Sequence, residues 1–139
     1  MESQTKKKRC NIMRYVISVV AISFGLLTIK SGGAVLFWSE EARIAAGDYV
    51  PFVLWFNFIS GFFYVVAGIA FWMNKTWSVW LAAAILIGIV TIFSALGLSV
   101  FIADMAYESR TVGAMVVRTT VWSVILFLAY KIFQQRGDV

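Results

Sequence analysis

The chain has 139 residues, of which 61% are hydrophobic and 14% are charged, and its formal net charge is +5. A soluble domain carries roughly a quarter charged residues, so this composition excludes an ordinary soluble fold. The chain contains no histidine and one cysteine, Cys10. Without histidine, the chain cannot form a histidine-ligated haem or zinc site or a Ser-His-Asp triad, and with one cysteine it cannot form an intramolecular disulfide relay. We therefore expect no metal site and no cofactor, and we favour a non-catalytic protein over an enzyme.

Four apolar segments are long enough to cross a bilayer as helices. They lie at about residues 12–33, 51–73, 77–103 and 112–132. About 20 apolar residues in a helix span a hydrocarbon core that is roughly 30 Å thick. The segments lack the alternating pattern of barrel strands. The sequence therefore predicts an all-α, single-domain, polytopic membrane protein, and its short connections predict an antiparallel four-helix transmembrane bundle.

The first span has two interpretations. A basic run, Lys6–Arg9, before an apolar segment is typical of a cleaved signal peptide. Small residues that recur every three or four positions favour a retained helix, because they form a face for close helix packing. These residues are Ser18, Ala21, Gly25, Thr28 and Gly32. We predict a retained helix that ends at the break Ser31-Gly32-Gly33.

Similar seams are predicted on the next two spans. On the second span the seam consists of Asn57, Gly61, Tyr64 and Gly68, and on the third it consists of Ala84, Gly88, Thr91 and Ala95. Small residues allow helix backbones to approach, and an occasional amide or hydroxyl group bonds across the interface. Both seams are expected to face the inside of the bundle.

The loop "SEEARIAAGD" between the first two spans predicts a short interfacial helix near residues 40–46. Ser39 is a favourable N-cap, and Gly47 is suited to the position after the last helical residue. Pro51 fits the first turn of the following helix, where its missing N–H is not needed.

The charges predict the orientation of the chain in the membrane. If both termini are cytoplasmic, the inner side holds eight Lys and Arg residues and two acids, Glu2 and Asp138, whereas the outer side holds four cations and five acids. This follows the positive-inside rule and predicts a multi-pass membrane protein with both termini in the cytoplasm. Its expected partners are the lipid bilayer and, in addition, other membrane proteins or a second copy of the chain. The run "KKKR" is more typical of a membrane anchor than of a nucleic-acid site, so no nucleic acid is expected as a partner.

A set of polar residues lies near the predicted outer boundary of the membrane. Its members are Lys30, Asp48, Asn57, Asp104, Glu108 and Arg118, and Tyr64 lies deeper on the seam of Asn57. An unpaired arginine in hydrocarbon is costly, so we expect Arg118 to pair with a carboxylate, first Asp104 and second Glu108. Two interpretations remain. Either the set only ties helices together, or it forms a shallow pocket for a small anion, a lipid headgroup or a quinone.

Two stretches carry a resemblance to a known group of proteins. "AGDYVPFVLWFNFISGFFYVVAGIAFW" and "YESRTVGAMVVRTTVW" resemble small bacterial inner-membrane proteins of four helices to which no activity is assigned. DoxX-type proteins are similar in architecture only. The resemblance implies a topology and a bacterial source, and it implies no chemistry.

Three functions fit these observations. The first is a non-catalytic accessory or assembly protein, which predicts an exposed seam of small or aromatic residues facing away from the bundle. The second is a small-molecule binder or transporter, which predicts a cavity lined by Asn57, Tyr64, Asp104 and Arg118. The third is a membrane enzyme acting on a lipid or quinone. There Arg118 would hold an anionic or carbonyl group, and Asp104 or Glu108 would handle protons.

Overall fold

The computed structural model of the protein describes residues 1–104 and 106–137. In these ranges the chain forms α1 (Glu2–Gly33), a π-helical segment (Ala34–Trp38), α2 (Glu40–Ala46), α3 (Pro51–Trp72), α4 (Trp77–Ala103) and α5 (Ser109–Gln134). The segment α1 to Trp38 and the helices α3, α4 and α5 are each long and apolar enough to cross a membrane. The predicted all-α bundle is confirmed, including the short helix at residues 40–46. The exact limits of the membrane spans stay a prediction, and Asp138 lies outside the described residues.

The four long helices form a closed ring in which each packs against two others. The neighbouring pairs are α1–α3, α3–α4, α4–α5 and α5–α1. The rings of Tyr64 and Trp122 fill the centre of the bundle, where they are fully buried with centroids 4.7 Å apart. Trp122 thus extends the core from α5 to α3, which lies diagonally opposite.

Both described ends of the chain lie at the same end of the bundle, which we call the terminal end. Arg136 donates from Nη2 to Asn11 Oδ1 at 2.5 Å and from Nη1 to Asn74 Oδ1. These two bonds join the start of α1, the α3–α4 turn and the segment after α5. The opposite end carries α2 and is called the α2 end.

The helices α1 and α3 pack closely through small residues, as the first two seams predict. Every residue of those two seams is buried. A Cβ atom on Gly68 would lie 2.9 Å from the carbonyl oxygen of Ser18, and one on Gly25 would lie 2.8 Å from that of Gly61. The Ser18 hydroxyl donates to the Gly68 carbonyl at 2.5 Å. Glycine is required at these contacts because the two backbones touch.

The seam predicted on α4 is wrong. Ala84 and Thr91 are exposed, whereas the buried face of this helix contains Ala82, Ile89 and Leu96. The helix is apolar all round, so its sequence contains no polar face that would orient it. Its buried face combines small and large side chains, and only part of the predicted seam, such as Gly88 beside Phe56, lies near a neighbouring helix.

The glycine pair at the end of α1 does not break the helix, in contrast to the prediction. Helical structure continues through the π-helical segment to Trp38. Gly32 and Gly33 are buried, and a Cβ atom on either would lie 3.2 Å from Phe58 or Trp38. Here the glycines make room for aromatic side chains, and the chain turns only at Ser39.

Candidate functional site

A cavity of about 420 Å³ lies at the α2 end between α1, α3 and α5, with α2 forming part of its wall. Its polar lining consists of Thr28, Ser31, Tyr49, Asn57, Arg110, Thr111 and Arg118. The rest of the lining comes from small and aliphatic residues, including three alanines of α2. Its volume falls in the range of sites for small molecules.

Local bonds hold α2 in place over this cavity. The Ser39 hydroxyl accepts from the Ala42 amide at 3.1 Å, and Gly47 ends the helix at a φ of 62°. Arg43 donates to the carbonyls of Val35 and Leu36 at 2.9 and 3.0 Å. Together these contacts make α2 a fixed wall.

A second arginine, Arg110, links α2 to α5. Its Nη1 donates to the carbonyl of Ala45, in the last turn of α2, at 3.2 Å. A cation is favourable at that position because the C-terminal end of a helix carries partial negative charge. The same side chain lines the cavity, so Arg110 both holds α2 against α5 and forms part of the cavity surface.

Arg118 lies in the wall of the cavity without a carboxylate partner. Its Nη1 makes a long contact of 3.9 Å with Met115 Sδ, and its Nε is buried with no hydrogen-bond partner. Within residues 1–104 and 106–137, no carboxylate oxygen comes within 4 Å of the guanidinium group. The expected pairs with Asp104 and Glu108 are therefore wrong.

The helix ends explain why these acids stay away from Arg118. α5 begins at Ser109, so Arg118 lies nine residues into the helix, about 13 Å along its axis. Asp104 is exposed and follows α4 in a left-handed conformation with φ of 46°. Glu108 precedes α5, and its carboxylate lies beside Gly47. Both acids remain at the helix ends, while the half-buried arginine lies more than two turns further along α5.

Asn57 lies in the same cavity wall, and its buried Oδ1 atom has no partner. Below it, the hydroxyl of Tyr64 and the indole N–H of Trp122 are buried and also unpartnered. Buried polar atoms in native proteins almost always have a partner, and a water molecule, an ion or a ligand can supply one here. Unsatisfied polar atoms thus extend from the cavity towards the centre of the bundle.

The structure brings together some of the seven predicted site residues and separates others. Asn57 and Arg118 line the cavity, whereas Tyr64 does not line it and lies fully buried at the centre of the bundle. Lys30, Asp48 and Asp104 are exposed, and Glu108 is half-buried, and none of these four lines the cavity. The enzyme hypothesis therefore lacks its proton-handling groups beside Arg118.

Sequence reasoning missed several lining residues. Thr111, Ala114 and Arg118 are spaced by three and four positions, so they share one face of α5. That spacing is a signal for Thr111. Thr28 already belonged to the small-residue face of α1, but its hydroxyl was not assigned to a pocket. Arg110 had no comparable signal, because its position depends on where α2 ends.

No protein-family model, curated protein or solved structure matches this chain. The resemblance to bacterial four-helix membrane proteins thus stays a prediction.

Proposed function

We propose that this protein is a multi-pass membrane protein that binds a small molecule carrying a phosphate or carboxylate group in the cavity at the α2 end. One observation carries the proposal: Arg110 and Arg118 line a single cavity whose described lining contains no carboxylate. A guanidinium group binds phosphate and carboxylate groups through paired, charge-assisted hydrogen bonds. Asn57, Thr28 and Thr111 supply further polar groups that fix the orientation of a ligand.

The environment of Arg118 supports an anionic ligand over a neutral one. A buried charge without a counter-ion is strongly unfavourable, and the missing partner is either a protein acid or a bound anion. Since no described carboxylate reaches Arg118, we infer that a bound anion neutralises its charge. It would also satisfy the Nε atom that now lacks an acceptor.

The orientation of the protein decides from which side the ligand arrives. We place the terminal end in the cytoplasm of a bacterial cell, since eight of the twelve Lys and Arg residues lie at that end. The cavity then opens near the outer surface of the inner membrane. A molecule in the outer leaflet or in the external medium reaches it directly.

The proposal is tested by thermal unfolding of the detergent-solubilised full chain, with and without inorganic phosphate. A ligand at a hundredfold excess over its Kd stabilises the native state by about 2.7 kcal/mol. We expect phosphate to raise the Tm of the wild type and to leave the Tm of Arg118→Leu unchanged. The matched control is Lys30→Leu, which removes an exposed cation at the same end that does not line the cavity.

A second experiment distinguishes a lipid ligand from a soluble one. Native mass spectrometry of the wild type is compared after incubation with phosphatidylglycerol and with glycerol phosphate. Retention of either species by the wild type and Lys30→Leu, but not by Arg118→Leu, supports the site and identifies the source of the anion. If the wild type gains no stability from phosphate and retains neither species, the proposal fails.

An accessory or assembly role remains the second candidate, because α4 carries an exposed face of the kind that such a role predicts. Ala84 and Thr91 lie on this face with larger apolar residues such as Ile87 and Leu98. A partner helix would pack on the small residues. Thr91→Phe is then expected to shift the native-gel mobility of a complex extracted in mild detergent, whereas Val124→Phe on the exposed face of α5 is not.

A further inference from the structure

A second charged cavity lies at the terminal end, between α1 and α5, and has a volume of about 360 Å³. Lys6 and Arg9 line it from α1, and Lys131 lines it from α5. Its described lining contains no carboxylate. Three cations that face one cleft attract a group with negative charge.

The floor of this cleft is apolar. Met13, Phe127 and Leu128 form it, and the Lys131 ammonium lies 4.7 Å from the centroid of the Phe127 ring. The ring holds the ammonium at the border between the cationic rim and the apolar floor. A ligand that fits this cleft therefore has a charged head and a hydrocarbon part directly below it.

Phe127 also lines an adjoining groove of about 440 Å³ between α4 and α5. The walls of this groove are almost wholly apolar and include Trp80, Leu86 and Tyr130. The two cavities therefore share Phe127 as a lining residue. This arrangement offers two hydrocarbon grooves beneath one cationic rim.

We propose that the terminal end binds one anionic phospholipid with two acyl chains. Its phosphate lies among Lys6, Arg9 and Lys131, and its chains lie in the two cavities that share Phe127. Basic pockets between transmembrane helices are suited to anionic headgroups. The three cations contribute less binding free energy for a zwitterionic lipid, and the two grooves contribute none for a soluble phosphate.

The chain contains its own reporter for this site. Cys10, the only cysteine of the sequence, lines the cationic cleft, and its thiol lies 3.1 Å from Gln135 Oε1. A lipid headgroup in the cleft covers this thiol. The rate at which N-ethylmaleimide alkylates Cys10 therefore measures how often the site is occupied.

The test compares alkylation of the full chain in nanodiscs of pure phosphatidylcholine and in nanodiscs that also contain phosphatidylglycerol. We expect phosphatidylglycerol to slow the alkylation of the wild type several-fold. The double variant Lys131→Gln with Arg9→Gln is expected to lose this protection. Its matched control, Lys8→Gln with Lys75→Gln, removes two cations from the same end that do not line the cleft.

Two outcomes overturn the binding of an anionic lipid in this cleft. One is equal alkylation of the wild type in both lipid mixtures, and the other is an equal loss of protection in both double variants, which would mean diffuse attraction to a charged surface. A third measurement tests the two grooves. Single-chain lysophosphatidylglycerol is expected to protect Cys10 less than the two-chain lipid, and equal protection would overturn the assignment of a second chain.

Discussion

Single glycines set the distance between α1 and α3. At Gly68 an added Cβ atom would lie 2.5 Å from Ile22 Cγ1 and 2.9 Å from the Ser18 carbonyl oxygen. The second of these neighbours is backbone, so the clash cannot be relieved by a change of rotamer. By contrast, an added Cβ on Gly97 of α4 meets nothing within 4 Å.

The first prediction uses this contrast. Gly68→Ala is expected to lower the free energy of unfolding by about 1–3 kcal/mol, because overpacking forces the two backbones apart. Gly97→Ala is expected to be neutral or stabilising, since alanine has the higher helix propensity. Thermal unfolding in detergent measures both variants, and an equal effect of the two would contradict the close packing of α1 and α3.

A second residue-scale prediction concerns the hydroxyl of Tyr64. It is buried and makes no close hydrogen bond, since the nearby Ser60 hydroxyl donates to the Asn57 carbonyl instead, while the ring packs on Trp122. Tyr64→Phe keeps the ring and removes the unsatisfied oxygen, so we expect the Tm of the ligand-free protein to stay the same or to rise. Tyr15→Phe, at an exposed position, is the control. A clear loss of stability in Tyr64→Phe alone would reveal a hydrogen bond to that hydroxyl.

At the scale of elements, α2 is too short to be stable by itself and depends on its ends. Helices shorter than about 12 residues are marginal in water. α2 has seven residues and is held by the Ser39 cap, the Arg43 bonds to the preceding carbonyls and the Arg110 bond to its last turn. Loss of one of these bonds should therefore loosen the wall of the cavity.

The third prediction follows from this dependence. Ser39→Ala removes the N-cap and is expected to cost about 1 kcal/mol in the local stability of α2. Hydrogen exchange of the amides at residues 40–46 should then be several-fold faster, with the exchange of α3 unchanged. Ser94→Ala, at an exposed serine of α4, is the control. Unchanged exchange in Ser39→Ala would show that α2 does not rely on its cap.

The elements also show which features of the fold are predictable from sequence. The faces of α1 and α3 were predicted correctly because small residues alternate there with large ones, which marks one side for contact. The buried face of α4 was not predicted correctly, because Ala84 and Thr91 lie in a helix that is apolar on every side. The partner of Arg118 was not predictable either, since it depends on where α4 and α5 begin and end.

For the whole molecule, the main prediction concerns topology. Ile44 in α2 and Lys75 in the α3–α4 turn are exposed and lie at opposite ends of the bundle. In a Cys10→Ser background, Ile44→Cys is expected to react with a membrane-impermeant maleimide in cells whose outer membrane is permeabilised. Lys75→Cys is expected to react only after the inner membrane is lysed. The reverse pattern would place the terminal end outside the cell.

The contact between the α1 and α3 backbones has a mechanical consequence. Two helices whose peptide groups touch cannot slide or tilt against each other without losing that contact, so they act as one rigid half of the protein. α4 and α5 meet through side chains, whose rotamers can adjust. The cavity at the α2 end is bounded by the rigid half on one side and by α5 on the other. The wall formed by α1 and α3 therefore keeps its shape when a molecule enters, and adjustment to that molecule falls to the side chains of α5.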